Sequence, residues 1–174
     1  MSGATADKSR SGPAMDSFAD GWERQGREDV AAAVADVRSL GRDAFLEAGF
    51  PASGEEAWKY TSLRKLARRK FSHGAPCPVP DAAELDRQLI SDVGDSRLVF
   101  INGGYTPELS NIESSEQCSI TPLAECLADA DTLAAVGQLA RPAEQRFAAL
   151  NQSFLRDGVV IRTTAGEDEP HVVY

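Results

Sequence analysis

The stretch from Gly49 to Phe71 constrains the fold more than any other, because it must end one helix and open another within a few residues. Gly49 tolerates the left-handed backbone that closes a helix, and Pro51 has no N–H with which to extend the ladder. Ser53 followed by Glu56 has the spacing of a capping box, so a new helix is expected to start at once, its cap contributing about 1 kcal/mol. Trp58 and Tyr60 fall within a turn of that start. Each ring joins a large apolar area to a polar tip that needs a partner, which predicts two core anchors rather than a ligand cage. Leu63, Leu66, Ala67 and Phe71 then form one apolar stripe, and Arg64, Lys65, Arg68, Arg69 and Lys70 cover the other faces. The expectation is a helix that is basic on its surface over residues 59–70.

The flanking segments follow from periodicity and punctuation. Residues 1–15 are rich in Ser, Gly and Ala with one large apolar residue, Met15, and read as a disordered tail. Phe18 and Trp22 stand one helical turn apart. From Glu28 to Ala48 the apolar positions Val30, Val34, Val37, Phe45 and Ala48 keep close to a 3.6-residue period, which predicts an amphipathic helix. Pro76, Pro78 and Pro80 forbid regular structure, and Asp81 with Glu84 signals another helix start, whose buried face is Leu85, Leu89 and Ile90. Leu98 to Ile101 reads as a strand, Asn102-Gly103-Gly104 as a hairpin turn, and Tyr105 as the start of a return strand that Pro107 cuts short. Cys118 to Ile120 is a further short strand, after which Thr121 and Pro122 fit an N-cap and first helical position. Pro142 opens the last helix, with Phe147, Leu150, Phe154 and Leu155 on its inner face, Asn151 on the same stripe, and a stop at Asp157-Gly158. Val159 to Ile161 reads as a buried strand, 165–170 as an acidic turn, and Val172 to Tyr174 as a second strand. A hairpin of that size is marginal alone in water, so residues 158–174 are expected to open a further domain that the chain lacks. The class is α+β, with a mainly helical domain over 16–157 that includes a small β-hairpin.

Charge and cysteine content restrict the function. The 174 residues carry 18 Lys and Arg against 27 Asp and Glu, a net charge of -9, which disfavours general attraction to nucleic acid or to an anionic membrane. That charge is segregated: residues 59–70 hold six basic side chains, whereas residues 81–131 hold eleven acidic and two basic ones. No stretch approaches 18 uninterrupted apolar residues, the N-terminus lacks the apolar core of a signal peptide, and the expected location is the cytoplasm. Cys77, Cys118 and Cys126 form an odd set without a C-x-x-C pair, so reduced thiols are expected rather than a disulfide framework.

No catalytic constellation stands out. His73-x-x-x-Cys77 is half of a soft-metal pattern, with Cys118, Cys126 and His171 as distant companions. Structural zinc sites need two close pairs, so ordinary loop and core roles are the expectation and no metal site is assigned. Asn102-Gly103-Gly104 follows a strand but lacks the Gly spacing and the Lys of a phosphate loop. The basic run 59–70 fits either a solvated face balanced by the protein's own acidic half or a module for nucleic acid or an acidic partner; it lacks the interleaved aromatics of single-strand binders.

Three ordered segments carry a family resemblance. G-F-P at Gly49 to Pro51 with E-E-A-W-K-Y-T-S-L at Glu55 to Leu63, R-L-V-F-I-N-G-G-Y-T-P-E-L-S at Arg97 to Ser110, and F-A-A-L-N-Q-S-F-L-R-D-G-V-V-I-R at Phe147 to Arg162 resemble the N-terminal region of the SufB/SufD family, on its SufD branch. The resemblance implies that the strands after residue 158 begin a right-handed parallel β-helix and that the chain is an N-terminal fragment. It implies a non-enzymatic scaffold subunit of an iron–sulfur cluster assembly complex, with SufB and the ATPase SufC as partners. It also implies that cluster-handling residues lie beyond this segment, which binds no cofactor of its own.

Overall fold

The computed structural model describes residues 11–27, 32–52, 54–73, 80–81, 83–84, 87, 97–112, 118–136 and 138–164. They fall into two units: residues 1–75 with 130–155, and residues 76–129 with 156–174.

The first unit is helical. Helix α1, Pro13–Gln25, starts with Pro at its first position, where a missing N–H costs nothing, and Asp16 lies in its first turn. Ala14 and Met15 are buried, so the expected tail does not extend this far; residues 1–10 lie outside the described residues. Helix α2, Ala32–Ala48, buries Val34, Arg38, Gly41 and Phe45, a run of four-, three- and four-residue steps. Val34 and Phe45 were legible as the stripe; Val30 is outside the described residues. Gly49 then takes φ 64 and donates its N–H to the Phe45 carbonyl at 2.7 Å, the left-handed helix stop that the sequence predicts.

Helix α2 packs against the last helix of this unit, Arg146–Ser153, which is α6 after the short helices α3 (Arg64–Ala67), α4 (Leu123–Cys126) and α5 (Ala130–Ala135). A methyl group on Gly41 would lie 2.7 Å from both the Ala149 carbonyl oxygen and the Ser153 amide nitrogen, so the glycine lets two backbones meet. Two side chains bind the same seam. Arg38 Nε donates to the Leu155 carbonyl at 2.7 Å, and Gln152 Nε2 donates to the Val37 carbonyl at 3.0 Å. α6 begins at Arg146 rather than at Pro142, which lies in a turn, and its buried residues are Ala149, Gln152 and Ser153. Phe147, Leu150 and Phe154 pack half-buried on the core cluster as expected, whereas Asn151 is exposed, and the most buried positions are Ala149, Gln152 and Ser153, where the close approach at Gly41 favours small side chains.

Phe18 is the centre of the core. Its ring lies within 6.4 Å, centroid to centroid, of Trp22, Phe45, Phe50, Phe71, His73 and Phe154. Trp22 stacks on Phe154 at 5.7 Å and donates its Nε1–H to Ser153 Oγ at 2.9 Å, so the indole buries its apolar body and satisfies its polar tip.

The second unit is built from short strands. β1 (Phe100–Ile101) and β2 (Gly104–Tyr105) pair antiparallel through Asn102 at φ 50 and Gly103 at φ 80, the two positive angles of the tight turn predicted from Asn-Gly. β3 (Cys118–Pro122) pairs antiparallel with β4 (Val159–Thr163), Ile120 opposite Ile161. Thr121 and Pro122 thus complete a strand, and α4 (Leu123–Cys126) starts one residue later than expected, with Pro122 as its N-cap. Leu98, Cys118 and Ile120 form the buried cluster, with Phe100, Tyr105 and Ile112 packed on it. Val159 to Ile161 are not a buried strand: Val159 and Ile161 keep 37% and 44% of their surface exposed, since β4 has one neighbouring strand among the described residues. The residues expected to open another domain begin by pairing back onto β3. The second terminal strand, Val172 to Tyr174, lies outside the described residues, as do Leu85, Leu89 and Ile90. Asp81 does cap its turn, accepting the Glu84 N–H at 2.7 Å.

Asp157 ties this unit together. Its carboxylate accepts the N–H of Tyr105 at 2.8 Å, of Gly158 at 2.9 Å and of Ala124 at 3.4 Å. The architecture among the described residues is therefore mixed, helices with two small antiparallel sheets, in agreement with the α+β class.

Candidate functional site

The segment after Pro51 does not form the long helix that its composition predicts. A 3-10 turn covers Glu56–Trp58, residues 59–63 run without helix, and α3 is the four residues Arg64–Ala67. Two causes act together. Tyr60, Thr61 and Ser62 are weak helix formers, and Arg64, Lys65, Arg68, Arg69 and Lys70 set like charges three and four residues apart with no acidic side chain to offset them. Ser53 is outside the described residues, and no side chain caps the 3-10 turn. The carboxylate that organises the entry is Glu55, one position before the expected one. It accepts the Ala52 N–H at 2.8 Å and both of its oxygens take Arg146 Nη1, at 2.7 and 2.8 Å. The Ala52 N–H first, and then the Arg146 guanidinium, hold its carboxyl below the usual glutamate value.

Apolar side chains fix the segment to the unit. Leu66, Ala67 and Phe71 pack on the core cluster, Phe71 stacks on Phe18 at 5.5 Å, and the Phe71 N–H donates to Ser17 Oγ at 3.0 Å. Trp58 is half-buried, with its ring 5.4 Å from Phe147. Tyr60 corrects the pair of anchors expected from sequence: it is 91% exposed, and Lys59 Nζ stands 5.5 Å from its ring centroid. Arg64, Lys65, Arg68, Arg69 and Lys70 are all exposed. Among the described residues only Lys59 of this run has an ion pair, with Glu56 at 3.6 Å.

Charge also divides by unit. The first holds 14 basic and 13 acidic residues, the second 4 and 14. The excess negative charge of the chain thus resides in the unit that carries the sheets, and the densest positive run lies in the other.

The soft donors named from sequence are not brought together. His73 belongs to the first unit, stacked on Phe154 at 4.5 Å and 11°, with its Nε2 buried and without a hydrogen-bond partner. Burial, and then the Arg24 charge, push its pKa below the ordinary 6.5. Cys118 and Cys126 are buried thiols of the second unit, Cys118 inside the apolar cluster. Cys77 and His171 lie outside the described residues, and no group of three or more His, Cys, Asp or Glu suited to a metal ion occurs among the described ones. Asn102 and Gly103 form the β1–β2 turn, and Gly104 opens β2. No described helix is long and apolar enough to cross a membrane. Sequence reasoning missed Arg38, Gly41, Gln152, Asp157 and the Glu55–Arg146 pair. Arg38 and Gly41 were recoverable as the missing steps between Val34 and Phe45; the distant Glu55–Arg146 pairing left no local signal.

The described residues among those named from sequence are engaged in packing and turns, and comparison with other chains decides the family. Residues 18–168 match the family described as the SufBD protein N-terminal region. The chain belongs to the SufBD family. It is also 38% identical over 61 residues to an iron-sulfur cluster assembly SufBD family protein of Synechocystis sp. (strain PCC 6803), across 35% of this chain. That match spans 13% of the Synechocystis protein's length. The SufBD match covers both units and the junctions between their segments.

Proposed function

We propose that this chain serves as the N-terminal region of a SufD-like, non-catalytic scaffold subunit in an iron–sulfur cluster assembly complex, working in the cytoplasm with SufB and the ATPase SufC. The SufBD family match over residues 18–168 carries the proposal, and the similarity to the Synechocystis iron-sulfur cluster assembly protein supports it. Cluster handling is assigned to the rest of the complex. His73 is stacked in an aromatic core, and Cys118 is packed in an apolar cluster. In this proposal the cluster is cargo of the assembly rather than a group resident in this segment.

The test is purification of the native gene product through a tag, from cells grown with iron. Recovery of a SufB subunit and the SufC ATPase in defined ratio is the expected result. A preparation that recovers neither, or one that turns over a small-molecule substrate alone, sinks the scaffold role.

A further inference from the structure

We infer that residues 59–70 form a docking surface for an acidic segment of a partner polypeptide. The inference stands apart from the assembly role, since it rests on the placement of charge and on one exposed ring. Six cations within twelve residues repel one another, and among the described residues a single carboxylate, Glu56, offsets one of them. The run is held in place from beneath: Leu66, Ala67 and Phe71 face the core while Arg64, Lys65, Arg69 and Lys70 point to solvent. The positions therefore come preorganised, which lowers the entropic cost of binding. Tyr60, 91% exposed beside Lys59, adds an amphipathic ring of the kind that forms interface hot spots together with Arg.

The kind of partner follows from range and composition. At physiological salt exposed charges act over about 8 Å, so a short acidic segment feels the patch and little of the remaining chain. A long polyanion or a second copy of this chain, itself at -9, works against the chain's net negative charge. A nucleic-acid strand further requires a ladder of stacking aromatics, and Tyr60 is the one aromatic within residues 59–70.

The experiment titrates the full chain with a fluorescent decaglutamate peptide and follows anisotropy at two salt concentrations. Binding that weakens with salt is expected. Lys65→Glu with Arg69→Glu should weaken it about tenfold, as four pairwise changes of exposed-ion-pair size would. Tyr60→Ala should weaken it several-fold, and the melting curves should stay unchanged because these side chains are exposed. The neutral pair Lys65→Gln and Arg69→Gln should fall between wild type and the reversal. Decaglutamate binding that is absent, or that survives the reversal at full strength, overturns the inference. Tighter binding of a ten-nucleotide single strand makes the patch a nucleic-acid site, and salt-sensitive dimerisation lost in the reversal makes it a self-contact; either result also overturns it.

Discussion

Replacing Gly41 with Ala sets two effects of opposite sign against each other. Alanine is the better helix former by about 1 kcal/mol, so at an open helical position the change is stabilising. At this position the added methyl lies 2.7 Å from the Ala149 oxygen, 2.7 Å from the Ser153 nitrogen and 2.9 Å from Gln152 Cβ. Two of those atoms are backbone of α6, so no rotamer change relieves the contact. Restoring ordinary contact requires α2 and α6 to separate by about 0.7 Å, enough to forfeit a quarter or more of the dispersion across the seam. The same shift stretches the Arg38–Leu155 and Gln152–Val37 hydrogen bonds, each worth about 1 kcal/mol net. Overpacking of this kind costs about 1–3 kcal/mol. The repulsive side wins, and Gly41→Ala should be destabilised by roughly 1–3 kcal/mol after the propensity gain is deducted. Urea unfolding followed by the fluorescence of Trp22, which stacks on Phe154 just past α6, reads the change. Asp36→Ala on the exposed face of α2 supplies the propensity-only control. A Gly41→Ala midpoint at or above wild type would refute the close-approach argument.

Trp58→Ala should cost about 1–2 kcal/mol in the same urea assay, below the roughly 3–5 kcal/mol of a fully buried aromatic, because Trp58 is half-buried against Phe147; a loss above 3 kcal/mol would mean that the ring is fully enclosed. Asp157→Ala leaves three backbone donors without their acceptor and should lose about 1–3 kcal/mol, seen as faster amide exchange at Tyr105, with Asp157→Asn milder; unchanged exchange there would remove Asp157 from its tying role. Stability should also fall in acid in two steps. His73 is held below its ordinary 6.5, so below about that pH the unfolded chain takes up a proton that the folded chain refuses, and the stability present above it is lost towards the lower folded value. His73→Phe should flatten this limb, and an unchanged slope would show that another group titrates. Glu55, held below 4.5, adds a later loss as pH falls below that value, which Glu55→Gln should remove.

What the sequence disclosed divides along physical lines. Local chemistry was readable: Gly49 stops α2, Asn102 and Gly103 turn the hairpin, and Asp81 caps Glu84, because each depends on neighbours within four residues. The apolar stripes of α1 and α2 were readable for the same reason. Residues 59–70 misled because composition registered apolar spacing without the mutual repulsion of five clustered cations and the poor helix propensity of Tyr60 to Ser62. Tyr60 and Asn151 misled because burial is set by which element arrives opposite, and the partners of α6 lie about a hundred residues away. The SufBD resemblance was carried by segments that the structure puts to structural use: Glu55 organises a turn, Asn102 and Gly103 bend a hairpin, and Asp157 ties together three backbone segments.

The path of the chain gives those segments a common logic. Neither unit is continuous: residues 76–129 interrupt the first unit, and residues 130–155 interrupt the second. The last crossing is short and fixed at each end. The Leu155 carbonyl accepts Arg38 Nε within the first unit, and two residues later the Asp157 carboxylate accepts Tyr105 and Gly158 within the second. A chain cut after Leu155 would keep α6 but lose β4, leaving β3 with Cys118 and Ile120 short of their pairing strand. Each unit thus depends on segments that are separated in sequence by the other, so partial folding of one half leaves both incomplete. The two units also differ in charge: the helical one is nearly neutral with a concentrated positive apron, and the other is acidic, with Val159 and Ile161 of β4 partly open. For the docking surface proposed on residues 59–70, the charge-reversed apron is the variant expected to lose acidic-peptide binding while the fold persists.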